Sequence, residues 1–227
     1  MSRNITLTID DRQIVAPEGE KILWVALENG IYIPHLCAIK EEERPSAACR
    51  LCFVEVEGEK KPVTACTTAV REGMVVKTRS ERVDRLVKTA FELLLSDHRL
   101  GCGKCPKNRS CELQIIAKER GLKLRLKRYE PFEKEIYIDD SLDLFSYDRS
   151  RCVLCGQCVW VCHNVAKVGA IGFSHRGIKR KVTTFKENKL IDSPCTQCGL
   201  CVEVCPVGAL VFKEKEVKEK ESLSSWA

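Results

Sequence analysis

The chain has 227 residues, of which 44% are hydrophobic, 6% aromatic and 31% charged, and its formal net charge is +6. This length allows one large domain or two to three small ones, with at least one packed core. Because 38 basic residues are interspersed with 32 acidic ones, the charge is too weak to indicate nucleic-acid binding, although it permits docking to an acidic protein surface.

The cysteine content indicates a metal-binding protein. The chain holds 15 cysteines, whereas secreted disulfide frameworks usually have an even number of cysteines in a shorter chain. The N-terminal stretch MSRNITLTIDDRQIVAPEGE is polar and lacks the apolar core of a signal peptide, and no run is apolar enough to span a membrane. We therefore expect a cytoplasmic protein without membrane insertion, whose thiols mainly bind metal.

Residues 1–78 are predicted to form a small mixed sheet crossed by one helix. The alternation of apolar and polar residues in RNITLTIDDRQIV predicts a hairpin that turns at DDRQ. The stretch PEGEKILWVALENG predicts a helix with an acidic first turn and Gly30 at its end. Three further strands are predicted at CFVEVEG, KPVTACTT and MVVKT.

This block contains four cysteines, called here the N-terminal set: Cys37, Cys49, Cys52 and Cys66. Their spacing, C-x11-C-x2-C-x13-C, is not that of plant-type ferredoxins. The layout is similar, however, with a long loop, a CxxC and a distant fourth cysteine. Spacing alone favours a 2Fe–2S cluster and leaves a zinc ribbon open.

Residues 79–121 are predicted to form a small helical domain. Ser80 is the expected N-cap of a helix over SERVDRLVKTAFELLLSDH. One face of that helix is apolar: Val83, Leu86, Val87, Ala90, Phe91, Leu94 and Leu95. A second helix, CELQIIAKERG, is expected to stop at Gly121.

The same domain carries four candidate ligands, called here the histidine set: His98, Cys102, Cys105 and Cys111. Zinc accepts three cysteines and one histidine. A 4Fe–4S cluster with one histidine ligand is the alternative, and these residues alone do not decide between the two.

Residues 122–147 are predicted to be an irregular connector with weak strand signals, and residues 148–212 hold two near-identical cysteine runs. Each run has the spacing C-x2-C-x2-C-x3-C, which is the bacterial ferredoxin pattern for two 4Fe–4S clusters. In that pattern three closely spaced thiolates bind one cluster, and the fourth cysteine of the run binds the other. The first ferredoxin-type set is therefore Cys152, Cys155, Cys158 and Cys205, and the second is Cys162, Cys195, Cys198 and Cys201. A pair of all-cysteine zinc sites is the weaker alternative, because such sites seldom need a third cysteine two residues on.

The stretches GIYIPHLC, CRLCFVEVEG and PVTACT resemble the β-grasp ferredoxin domain that opens the iron–sulfur subunit of respiratory complex I. The same domain opens the diaphorase subunit of NAD-reducing hydrogenases and many iron-only hydrogenases. In that family an H-x3-C-x2-C-x5-C segment follows the β-grasp domain, and the histidine set matches it residue by residue. The resemblance implies that His98 is a ligand to one iron of a 4Fe–4S cluster.

The resemblance implies an α+β fold with three cluster-binding parts. These are an N-terminal β-grasp 2Fe–2S ferredoxin domain, a small helical domain whose cluster has one histidine and three cysteine ligands, and a C-terminal domain like the two-cluster bacterial ferredoxins. One 2Fe–2S and three 4Fe–4S clusters would use all 15 cysteines. In length the chain is most similar to the small diaphorase subunit of NAD-reducing hydrogenases.

The implied function is electron transfer within a multisubunit NAD(P)H-linked oxidoreductase, such as a soluble hydrogenase, a formate dehydrogenase or an electron-bifurcating complex. The implied partners are a flavoprotein subunit that binds FMN and NAD(P)H, and a catalytic subunit or a soluble ferredoxin. A free-standing multi-cluster ferredoxin is the alternative, and a zinc-ribbon scaffold is a third possibility.

Other motifs and side chains carry less information. No G-x-G-x-x-G follows a predicted strand and no P-loop is present, so we expect no nicotinamide site, no flavin site and no substrate-converting site in this chain. His35, His163 and His175 are expected in packing or surface roles. Residues 213–227 are expected to be a solvated charged tail, and Trp226 in it an incidental terminal residue.

Overall fold

A five-stranded mixed sheet forms the N-terminal part of the molecule. The computed structural model describes residues 3–132 and 136–213, so the tail from residue 214, including Trp226, lies outside the described residues. The sheet has the order β2-β1-β5-β3-β4, and only the pairing of β1 with β5 is parallel. Its strands are β1 (Asn4–Ile9), β2 (Arg12–Pro17), β3 (Phe53–Val56), β4 (Val63–Thr64) and β5 (Val75–Lys77).

The predicted hairpin and strands are confirmed. Asp10 and Asp11 join β1 to β2 with φ angles of 46° and 62°. Positive φ at both central residues is what a two-residue hairpin turn needs, and Asp tolerates it better than most residues.

The helix of this part, α1 (Ile22–Glu28), packs its apolar face on the sheet and ends before Gly30, which has a φ of 72°. The predicted acidic first turn is wrong. The helix begins at Ile22, so the acidic residues lie before it, and a Glu20 carboxylate oxygen accepts a hydrogen bond from the Lys21 backbone N–H at 2.8 Å. That short-range bond holds the chain extended at Lys21, where the sequence suggested helix.

Two helices form the middle of the chain, as predicted. In α2 (Glu81–Ser96) the Ser80 hydroxyl accepts from the Val83 N–H at 3.1 Å, which caps the first turn. Most of the predicted apolar face is buried, with Leu86 and Leu94 half-buried. The second helix, α3 (Glu112–Arg120), ends at Gly121 in the left-handed conformation.

The C-terminal part contains two short helices and two small sheets. The helices are α4 (Gln157–Asn164) and α5 (Leu200–Glu203). The first sheet has the order β10-β7-β6, and both of its strand pairs are antiparallel. Its strands are β6 (Ile138–Asp139), β7 (Phe145–Asp148) and β10 (Leu210–Phe212). The weak strand signals of the predicted connector thus correspond to β6 and part of β7. A hairpin of β8 (Gly172–Ser174) and β9 (Lys181–Thr183) lies between the two cysteine runs and was not predicted.

The buried residues form two cores, and their division positions the cysteines. One core lies between the N-terminal sheet and α1. The other joins α2, α3 and the C-terminal part, and it also includes Leu36, Cys37, Cys49 and Leu51 from the N-terminal part. The loop that carries the first cysteines therefore packs against the rest of the chain. Within residues 3–132 and 136–213, no helix is both long and apolar enough to cross a membrane.

Candidate metal centres

The loop between α1 and β3 carries three cysteines of the N-terminal set, and Cys66 follows β4. All four thiols are buried. The Cys37 and Cys49 sulfurs are 3.5 Å apart, and the Cys49 backbone N–H lies 3.5 Å from the Cys37 sulfur. The hydrogen bond from the Cys49 thiol lowers the pKa of Cys37 to about 6, whereas contact with the Cys66 thiol, together with burial, raises the pKa of Cys52. The structure thus brings this whole set together.

The histidine set lies between α2 and α3. Cys102 begins a short 3-10 turn, and Cys111 is the N-cap residue of α3. Burial raises the pKa of the Cys111 thiol, and the neighbouring thiols of Cys105 and Cys102 raise it further, which places the three sulfurs near one another.

The His98 ring has a defined hydrogen-bond partner. Its Nδ1 atom lies 2.8 Å from the backbone oxygen of Arg151. Because a carbonyl oxygen only accepts, Nδ1 carries a proton, so Nε2 is the ring nitrogen that would bind a metal. Metal-binding histidines almost always donate the other ring N–H in this way, so the geometry suits His98 as a ligand.

The first ferredoxin-type set brings Cys205 to the first cysteine run. Burial raises the pKa of Cys158 strongly, and the charges on Cys152, Cys155 and Cys205 raise it further. Leu154, with a φ of 55°, turns its backbone N–H toward the Cys152 sulfur at 3.4 Å. The residue order Cys-Val-Leu-Cys thus forms a tight loop in which a backbone amide faces the Cys152 sulfur.

The second ferredoxin-type set lines an apolar pocket together with Phe145, Tyr147 and Leu210. Burial and the nearby sulfurs of Cys195, Cys198 and Cys162 raise the pKa of Cys201 to about 12. The Ala170 N–H donates to the Cys162 sulfur at 3.3 Å. Cys205 thus lies near Cys158 of the first run, and Cys162 lies near Cys201 of the second. The assignment of each fourth cysteine to the cluster of the other run stays a prediction.

These sets suit clusters better than single ions. In the part of the chain that the structure describes, no three or more His, Cys, Asp or Glu side chains are arranged to hold one metal ion. A pocket lined by four cysteines and otherwise by largely apolar side chains suits a sulfide-bridged cluster, because such clusters are held by cysteine thiolates. The chemistry of the donor atoms therefore fits iron–sulfur clusters.

Contacts between sets converge on the first ferredoxin-type set. Cys155 lines one groove together with Cys37, and the Gln157 side-chain amide donates to the Leu36 backbone oxygen at 2.6 Å. Tyr147 lies beside Cys152 and also lines the pocket of the second ferredoxin-type set.

The contact with the histidine set is made at Gly208. A Cβ atom built on Gly208 would lie 2.6 Å from the Cys105 sulfur, so only glycine allows this approach. Gly208 follows Cys205 by three residues, so this backbone belongs to the loop of the first ferredoxin-type set.

Sequence reasoning missed Tyr147, Arg151 and Gly208, because no motif marks them. The other histidines have packing or surface contacts. His35 stacks edge-on with Trp24 at 5.9 Å, the His163 ring lies against Gly169, and His175 pairs with Glu187 at 2.6 Å.

Three sequence families match the chain in succession. Residues 2–81 match the 2Fe–2S iron–sulfur cluster binding domain, and residues 88–124 match the NADH-ubiquinone oxidoreductase-G iron–sulfur binding region. Residues 143–211 match the ferredoxin-like domain of NADH-quinone oxidoreductase subunit 3. The chain therefore contains 2Fe–2S and 4Fe–4S binding domains.

Curated relatives are longer than this chain. It is 39% identical to the NADP-reducing hydrogenase subunit HndD of Solidesulfovibrio fructosivorans, over 97% of this chain and 38% of that protein. It is 37% identical to the NADPH-Fe(3+) oxidoreductase subunit alpha of Geobacter sulfurreducens, over 92% of this chain and 24% of the relative. The chain thus spans less than half the length of these relatives.

A solved structure agrees in fold and in length. A chain of the NAD+-reducing [NiFe]-hydrogenase in the H2-reduced state superposes with a TM-score of 0.83 and 32% identity, covering 92% of this chain and 88% of that one. The sequence also matches a component of the NADH-quinone oxidoreductase of Rhizobium meliloti at 35% identity, over 91% of this chain and 24% of that protein. This chain therefore belongs to the family of iron–sulfur electron-transfer subunits found in NAD(P)H-linked hydrogenases and NADH-quinone oxidoreductases.

Proposed function

We propose that this chain is the electron-transfer subunit of a cytoplasmic, multisubunit NAD(P)H-linked oxidoreductase, and that it holds one 2Fe–2S and three 4Fe–4S clusters. The observation that carries the proposal is that cysteines of all four sets lie in or against one core. Its buried cysteines are Cys37, Cys49, Cys111, Cys152, Cys158 and Cys205, and Cys155, Cys162, Cys195 and Cys201 pack against it. Each cluster, when bound, takes up and releases one electron.

The four sets are the proposed ligands. The N-terminal set would hold the 2Fe–2S cluster, and the histidine set and both ferredoxin-type sets would each hold a 4Fe–4S cluster. Burial raises the pKa of thiols such as Cys111 and Cys158, which disfavours their thiolate forms. A bound metal deprotonates a coordinating thiol, so the metal-free thiols would be protonated and the loaded ones would not.

The chain's own residues keep the four sites close together and dry. The first ferredoxin-type set occupies the centre, since Gln157, Tyr147 and Gly208 each connect it to another set. These contacts are side-chain and backbone packing, with Val153, Val202 and Leu210 filling the surrounding core. This packing shields most of the sulfurs from water. Among the described cysteines, only Cys198 is exposed.

The partners are proposed from the names of the relatives. Several are parts of NADP-reducing, NADPH-linked or NAD+-reducing enzymes. We therefore assign the binding of FMN and NAD(P)H to a partner flavoprotein subunit, and the terminal reaction to a catalytic subunit or a soluble ferredoxin. The charge of +6 suits docking between subunits and is too weak for nucleic acid.

Anaerobic metal analysis of the natively purified protein tests the cluster assignment. We expect about 14 iron atoms per chain with matching acid-labile sulfide. Zinc in place of iron, in a colourless protein, would overturn the proposal.

Gel filtration tests the subunit assignment. A subunit elutes with a flavin-containing partner, whereas a free-standing ferredoxin elutes near its chain mass of 25.7 kDa with no flavoprotein attached. Elution near 25.7 kDa without a flavoprotein would show that the chain is a diffusible carrier and not a subunit. The cluster assignment would still stand.

A further inference from the structure

A buried group of charges lies between the histidine set and the first ferredoxin-type set. The Asp148 carboxylate is 2.5 Å from an Arg99 guanidinium nitrogen and 3.0 Å from Nε of Arg151. The side chains of Asp148 and Arg151 are each 12% exposed, and that of Arg99 is 33% exposed. Asp148 also accepts from the backbone and hydroxyl of Ser150, so its position is fixed by the turn that leads into Cys152.

Arg151 contacts both sets of ligands. Its backbone oxygen accepts the hydrogen bond from His98, and the next residue in the chain is Cys152. A Cβ atom built on Gly208 would lie 3.6 Å from Nη1 of Arg151 and 2.6 Å from the Cys105 sulfur. The Arg151 guanidinium and the Cys105 thiol therefore both lie close to Gly208. Buried Nη1 has no hydrogen-bond partner among residues 3–132 and 136–213.

A buried donor without a partner is costly, and a buried charge needs compensation. In this group two guanidinium groups face one carboxylate, so the three side chains together carry a net charge of +1. Nearby thiolates on a negatively charged cluster would supply the missing partner. A cluster becomes one unit more negative on reduction, so a fixed positive charge stabilises its reduced form.

We infer that Arg151 is a positioning residue that raises the reduction potentials of the clusters bound by the histidine set and the first ferredoxin-type set, and that Asp148 opposes it. This inference rests on the proposed function, since it requires both clusters to be present. Arg151 is not among the residues that line the pocket of the second ferredoxin-type set, so the cluster of that set is the internal reference.

Redox titration of the purified complex, followed by EPR spectroscopy, tests the inference. Arg151→Gln should make the midpoint potentials of both affected clusters more negative, whereas Asp148→Asn should make them more positive. Arg151→Lys retains the charge and should shift them less than Arg151→Gln. Arg71→Gln, at an exposed ion pair with Glu59, is the matched control and should leave every potential unchanged.

A purely structural role predicts a different pattern. If Arg151→Gln and Asp148→Asn shift the potentials in the same direction, or not at all, with normal iron content, the inference is wrong. Should Arg151→Gln fail to load iron, Arg99→Gln removes a positive charge without altering the turn at Cys152. Arg99→Gln must then shift both reduction potentials to more negative values, by less than is expected for Arg151→Gln. Unchanged potentials would contradict the inference. Absence of iron from the wild-type protein would instead contradict the proposed function.

Discussion

The His98 ring donates from Nδ1 to the backbone oxygen of Arg151, 53 residues away in sequence. This bond ties the segment after α2 to the turn before Cys152, and it makes Nε2 the ring nitrogen that our proposal assigns as the ligand atom. Both the orientation and the chemistry of the ring can therefore be tested at this one residue.

Replacing His98 by Cys should lower the reduction potential of one 4Fe–4S cluster. A thiolate carries a negative charge that neutral imidazole lacks, so the reduced cluster is less stable with cysteine. Redox titration by EPR measures the shift. His35→Ala is the control, since His35 stacks on Trp24 and should leave every potential unchanged. An unchanged potential for every cluster in His98→Cys would show that His98 is not a ligand.

Gly208→Ala should lead to loss of the cluster of the histidine set. The new Cβ would lie 2.6 Å from the Cys105 sulfur, which cannot move aside while iron holds it. We expect about four fewer iron atoms per chain, measured by iron analysis after anaerobic purification. Gly172→Ala is the matched control, because its Cβ meets nothing within 4 Å and its φ is not positive. Equal iron content in both variants would argue against Cys105 as a ligand.

Tyr147→Phe should destabilise the folded protein. The Tyr147 hydroxyl donates to the Val182 backbone oxygen at 2.9 Å in a buried position, and the variant removes that bond. The loss of one hydrogen bond typically costs about 0.5–1.5 kcal/mol of unfolding free energy. Chemical denaturation of the loaded protein measures it. Tyr137→Phe keeps its ring contact with Arg149 and should change the free energy much less, so equal effects in the two variants would contradict this interpretation.

Removing the clusters should make the stability of the protein fall as pH rises. Several thiols, including Cys201 with a pKa raised to about 12, keep their protons in the folded state above the ordinary value of 9.0. A raised folded-state pKa contributes stability below the unfolded pKa, and that stability is lost as pH rises through the folded value. Cys37, with its pKa lowered to about 6, acts in the opposite direction, but the raised thiols outnumber it.

Anaerobic denaturation of the chelator-treated protein at pH 7.5 and pH 9.5 checks this expectation. The unfolding free energy should be smaller at the higher pH, while that of the loaded protein should change less. A metal-free protein that is more stable at pH 9.5 would show that its thiols are not held protonated by burial.

Local signals in the sequence were sufficient for much of the fold. Ser80 caps α2 through a bond to a residue three positions away, and the hairpin turn at Asp10 and Asp11 uses only its own backbone. The grouping of Cys205 with the first run also follows from spacing, because a helical turn separates it from its own run. The cap and the turn depend on residues close in sequence, and the cysteine grouping depends on a spacing that the sequence shows, so a pattern predicts all three.

The features that were missed depend on distant contacts. Gln157 and Leu36 are 121 residues apart, and Gly208 approaches a cysteine that belongs to another domain. The β8–β9 hairpin has only three residues in each strand, too short for a clear alternation. The start of α1 was placed too early because the acidic residues before it resemble a first turn, whereas the Glu20 side chain bonds to the extended backbone.

The Gln157 amide supports the loop of Cys37 from outside the N-terminal sheet. That sheet has its own core, whereas Cys37 and Cys49 are covered by side chains that come from later in the chain. An excised N-terminal domain would therefore keep its strands and lose the cover over its sulfurs. Resistance of this cluster to dioxygen is thus expected to be a property of the intact polypeptide.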